Sequence, residues 1–118
     1  MSDWFSDTMV TEPPRVELLS TEQRNIAVGL APMLVSGDVV DANSVTADVV
    51  EWGTRNPVSP SPIVGTAGYN ASTKTAAVVV DGSKMPVRRR AALRITFNVT
   101  GSAGAETRSS YVILDVKI

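Results

Sequence analysis

Apolar and polar residues alternate most strictly from Ala91 to Thr100, where Leu93, Ile95, Phe97 and Val99 fall on one side and Arg94, Thr96, Asn98 and Thr100 on the other. A period of two puts successive side chains on opposite faces of an extended chain, so this run predicts a half-buried strand. Past Gly101-Ser102-Ala103-Gly104 the alternation resumes to the end of the chain, with Val112, Leu114, Val116 and Ile118 expected inward and Ile113, Asp115 and Lys117 outward. Together the two runs predict a long C-terminal hairpin. A second hairpin is expected where Gly68-Tyr69-Asn70 and Thr75 to Val80 flank the polar tetrapeptide Ala71-Ser72-Thr73-Lys74, with Asp81-Gly82 stopping the second strand.

Earlier strand candidates are Arg15 to Leu19, Asn25 to Leu30, Val39 to Val40 and Val45 to Trp52, each bounded by Pro, Gly, Asn or Asp. Ser20-Thr21-Glu22-Gln23 has the spacing of a capping box that would open a short helix. The alternation of Ile26-Ala27-Val28-Gly29-Leu30 favours strand there instead. Three prolines within Asn56 to Pro62 exclude a central strand and predict a stiff crossing between sheets. About seven short strands and no long helix predict an all-β antiparallel β-sandwich over residues 15–118. Residues 1–14 read as an extended N-terminal arm, because Trp4, Phe5 and Met9 lie among polar residues ahead of Glu12-Pro13-Pro14 without alternation.

Composition narrows the chemistry more than the fold. The 118 residues are 43% hydrophobic and suit one domain of modest core. Valine and alanine supply much of that fraction, which is strand composition. There is no cysteine and no histidine, so disulfides, thiolate metal sites, a cysteine nucleophile and the Ser-His-Asp arrangement are excluded together. With them go the commonest general base and metal ligand, and the chain is expected to be no enzyme and to need no cofactor. Eleven basic against twelve acidic residues give a net charge of −1, which points away from nucleic acid and membrane surfaces and toward protein partners. No apolar run approaches the roughly 18 residues of a spanning helix, and the first residues lack the basic start and apolar block of a leader. The chain is therefore expected to be soluble and made in the cytoplasm.

Candidate interface residues are few. Arg88-Arg89-Arg90 is the one charge run, suited either to a solvated loop before the strand at Ala91 or to an acidic face on a neighbour. Three arginines without aromatic platforms make a weak nucleic-acid footprint. Trp4, Phe5 and Met9 are candidate anchors for a partner's groove, whereas Trp52 is expected in the core or at its end. Asp38, Asp41, Asp48 and Glu51 lack the dense spacing of a calcium loop and are expected in turns and on the surface. Asn70-Ala71-Ser72 and Asn98-Val99-Thr100 match the glycosylation pattern without a secretory leader before them.

From Arg24 onward the chain resembles small immunoglobulin-like virion proteins of tailed bacteriophages, especially the fibre-tail adaptor type. The resemblance rests on Arg24 to Leu30 followed by Leu34-Val35-Ser36-Gly37-Asp38-Val39-Val40, on the valine-rich strand ending at Asp81-Gly82, and on the hairpin from Leu93 to Val116. It implies a non-enzymatic structural protein of the virion, made in the host cytoplasm. Such a protein would bridge tail, neck or fibre components through protein contacts and self-associate in a symmetric assembly, binding neither nucleic acid nor membrane. A capsid decoration protein is the nearest alternative. A module binding host-surface glycans is a further one, for which Trp4, Trp52, Tyr69 and Tyr111 are the available lining.

Overall fold

The computed structural model describes residues 13–85, 90–102 and 104–117. Among the described residues eight strands carry the fold: β1 (Arg15–Leu19), β2 (Gln23–Gly29), β3 (Val39–Val40), β4 (Thr46–Glu51), β5 (Ile63–Asn70), β6 (Thr75–Asp81), β7 (Ala91–Gly101) and β8 (Gly104–Lys117). They form two sheets. One runs β1-β8-β7, with β3 and β4 sharing the far side of β7; the other runs β2-β6-β5. The described residues contain no α-helix, only single 3-10 turns at Ala31–Met33, Ala42–Ser44 and Gly82–Lys84.

The strict alternation of β7 makes it the centre of the larger sheet. Leu93, Ile95, Phe97 and Val99 all lie inward and buried, facing Ile26, Val28, Ala76, Val78 and Val80 of the smaller sheet across one shared core. Val112 and Leu114 of β8 join that core, while Val116 packs at its margin, partly buried. The β7–β8 hairpin keeps register along its length, from Ala91 opposite Leu114 to Gly101 opposite Gly104. β5 and β6 flank the polar tetrapeptide as expected, and the proline-rich segment carries the chain from β4 in one sheet to β5 in the other.

Three features depart from the alternation. First, β1 pairs with β8 in parallel, Arg15 opposite Ile113 through Leu19 opposite Lys117. The chain then turns at Ser20–Glu22, where the Glu22 carboxylate accepts the Leu19 N–H at 2.8 Å, and enters the other sheet as β2. The helix-capping spacing thus serves a turn between sheets. Second, the inner face of β8 is polar before Ser110: Arg108 stands opposite buried Phe97 and Glu106 opposite Val99. Third, Ile113 does face outward but is fully buried, in a second small cluster with Val50 and Ala92.

Candidate functional site

That second cluster lies on the outer face of the larger sheet, and its cover is aromatic. Val50, Ala92 and Ile113 form one cross-strand row, because Ala92 pairs with Val50 of β4 and with Ile113 of β8. Trp52 and Tyr111 pack against this row, with ring centroids 5.6 Å apart in an edge-to-face arrangement. Aromatic pairs favour this geometry because a ring edge carries positive charge and a ring face negative. Trp52 thus stands at the margin of an outer cluster and not at the end of the main core. The turn after β4 presents Arg55 with φ of 63° and lays its guanidinium 3.7 Å from the Trp52 ring centroid. A left-handed backbone is costly for a side-chain-bearing residue, and the cation–π contact offsets part of that cost.

The next row is polar. Arg94 donates two hydrogen bonds to Asp48, from Nε at 3.0 Å and from Nη2 at 2.6 Å. That carboxylate raises the Arg94 pKa further above its usual value. Beyond it, Thr96 meets Ser109 at 3.3 Å and Thr107 donates to Asn98 at 2.8 Å. The outer face of β4, β7 and β8 therefore grades from an aromatic and cationic end to a hydroxyl-rich end.

A groove opens on the side where β8 and β2 edge the two sheets. It encloses about 1050 Å³ and is walled by Val16, Ala27, Val28, Met33, Ser110 and Val112, with Pro13 and Pro14 at one lip. β1 is too short to cover all of β8, since its pairing starts at Ile113. Among the described residues no strand lies outside β8 between Gly104 and Val112. The Ile113 N–H points to this side, donating to the Pro14 carbonyl at 2.8 Å. Strand alternation directs the N–H groups of Tyr111, Ser109 and Thr107 the same way. Elsewhere the edges are blunted. Loop residues Asn56 and Val58 bond the main chain of Glu51 and Val49 beside β4, and β5 breaks register between Val64 and Gly68. A smaller groove of about 480 Å³ lies between the β4 and β5 edges.

Arg108 closes the far end of the sandwich. Its Nη1 donates to the Met33 carbonyl at 2.5 Å and to Asp38 at 2.8 Å, and its Nη2 bonds Glu106. Asp38 also accepts the Val35 N–H at 2.9 Å. That backbone bond first, and Arg108 second, hold the Asp38 carboxyl below its ordinary 3.8.

Of the residues expected at an interface, Trp4, Phe5, Met9, Arg88 and Arg89 lie outside the described residues. Arg90 is exposed, and its carbonyl accepts the Trp52 N–H at 2.9 Å, so the basic run enters β7 beside the aromatic cluster. The aromatics proposed for a glycan cleft are divided: Tyr69 packs on the main core, Trp52 and Tyr111 on the opposite side of the larger sheet. The acidic residues have local partners, Asp38 with Arg108, Asp48 with Arg94, and Asp41 with the Asn43 N–H at 3.0 Å. Among the described residues no group of three carboxylates converges on a metal position. Sequence reasoning did not find the groove, because it is made by the length difference between β1 and β8. No protein-family model matches the chain, and no curated protein matches it in sequence.

Proposed function

We propose that the chain is a non-enzymatic structural module of a bacteriophage virion, an immunoglobulin-like sandwich acting as an adaptor between tail, neck or fibre components. Strand order supports the immunoglobulin-like part of the reading. In this reading β4, β7 and β8 take the places of the C, F and G strands of that fold, and β2, β6 and β5 those of B, E and D. The first strand differs by pairing with β8 instead of β2.

The observation that carries the functional reading is the β8 edge from Gly104 to Val112, which no other described strand covers, beside an apolar groove. Unpaired strand edges invite another chain to add a strand, and natural proteins usually blunt them, as this one does along β4 and β5. An edge left open beside an apolar trough is suited to assembly. The N-terminal arm and the arginine run at residues 88–90 supply further contacts in this reading, and no catalytic group is assigned.

Capsid decoration is the second reading, favoured by the outer face of the smaller sheet. Ala27, Ala77, Val79 and Gly68 give that face small side chains, with open space around Gly29 and Gly68. Gold labelling against this chain on purified particles separates the readings. Adaptor function predicts label at the tail, neck or fibres and a copy number in multiples of six or twelve, an expectation taken from the family resemblance. Hundreds of copies over the capsid would favour decoration, and unlabelled particles would overturn both.

A further inference from the structure

We infer that the groove between β8 and β2 receives the N-terminal segment of a second copy of this chain, with Trp4 and Phe5 as anchors and main-chain bonds to the β8 edge that no described strand covers. The inference deepens the assembly reading above and rests on it for the claim that the chain works as part of a multimer. Three observations choose this occupant. The twelve N-terminal residues outside the described ones end next to Pro13, at the lip of the groove itself. They contain Trp4, Phe5, Met9 and Val10, an apolar set matched to walls of Val16, Val28, Met33 and Val112. A volume of about 1050 Å³ is at the upper end for pockets that enclose a whole small ligand, ample for two aromatic side chains.

Reach decides between a chain's own segment and a neighbour's. Strand rise makes the Ser109 to Val112 stretch of the groove about 10 Å long. Trp4 lies nine residues before Pro13, up to about 30 Å away along an extended chain. Pro13 precedes a proline, a position biased toward extended backbone, and the two prolines have no N–H to give the β8 ladder. Ser6 to Glu12 contains no glycine or proline to reverse the chain. The aromatic pair therefore passes its own groove and meets the equivalent groove of a neighbour, an exchange of identical elements that builds symmetric oligomers.

The absence of cysteine makes the test clean. Two single-cysteine variants of the full chain, Ser6→Cys and Ala27→Cys, are mixed and mildly oxidised; Ala27 is exposed at the groove and Ser6 adjoins the anchors. The expected result is a mixed disulfide dimer formed at least tenfold more than with Ser102→Cys, an exposed position in the β7–β8 turn. Adding Trp4→Ala and Phe5→Ala to the Ser6→Cys chain should cut that yield about tenfold or more, because centrally buried aromatics dominate interface energy. A mixed yield no higher than with Ser102→Cys overturns the inference. So does a Ser6→Cys/Ala27→Cys double variant that closes only within the monomer, since the groove then holds its own chain's segment. Cross-linking by a chain absent from particles would remove the virion reading and leave the exchange standing; labelled particles with no cross-link would do the reverse.

Discussion

Single residues set the cost of change most sharply where backbone and side chain approach closely. Phe97 is fully buried in the shared core, and Phe97→Ala should cost about 3–5 kcal/mol, read as a lowered midpoint in denaturant unfolding. Gly82 allows the closest approach: a Cβ there would overlap the Leu19 carbonyl oxygen, which is backbone and cannot swing aside. Gly82→Ala should therefore destabilise by about 1–3 kcal/mol, as overpacking does, and the same assay checks it. At Gly101 the obstacle is the Asp38 carboxylate, held by Val35 and Arg108. Because Asp38 is bonded in its charged form, its folded pKa lies below the ordinary 3.8. Its contribution is thus fully present above that value and is lost as pH falls through the lowered folded one. Asp38→Asn should be less stable than the parent at pH 7 and lose less stability between pH 5 and pH 2, as followed by thermal unfolding across pH.

Among the elements, the turn from β4 into the proline-rich segment balances two opposed terms. Arg55 sits at φ of 63° while its guanidinium covers Trp52. Arg55→Gly relieves a backbone cost of about 1–3 kcal/mol and forfeits a cation–π contact of about 0.5–1 kcal/mol, so it should leave stability unchanged or slightly raised. A loss above about 1 kcal/mol in thermal unfolding would show that Arg55 does more than cap the ring. The Arg94–Asp48 pair belongs to the same face but is partly exposed, and pairs of that kind contribute about 1 kcal/mol or less. The aromatic cluster, not this ion pair, is what covers Ile113.

At the scale of the described residues, one closed core is paired with one side that no strand covers, and the proposed assembly is placed on that side. Deleting residues 2–12 should leave the melting temperature within a few degrees of the parent, since the core is built from β1 to β8, yet prevent incorporation into particles. Normal incorporation, or an unfolded domain, would contradict that expectation. Net charge argues against nucleic acid at the same scale. The isolated domain should bind DNA no tighter than about micromolar and lose that binding near physiological salt, as titrations at two salt concentrations would show.

Period-two alternation determined the central elements. β7, β8, β6, β4 and the inward set from Leu93 to Leu114 were legible because a strand with one buried face must alternate. Pro and Gly punctuation likewise marked where the chain leaves one sheet for the other. Local pattern carries no information on which distant strand lies alongside, so the parallel β1–β8 pairing became visible only in three dimensions. The same limit hid the outer cluster: Ile113 keeps the outward phase that its position dictates, and only the arrival of Trp52 and Tyr111 over it removes it from water. It hid Arg108 too, whose inward place is tolerated because Asp38, Glu106 and the Met33 carbonyl, distant or nearby in sequence, converge on its guanidinium. The groove arose in the same way, from a five-residue strand laid against a fourteen-residue one. A strand's own sequence states which face it buries, but the neighbours that cover its other face and its edge are chosen by packing of the whole chain.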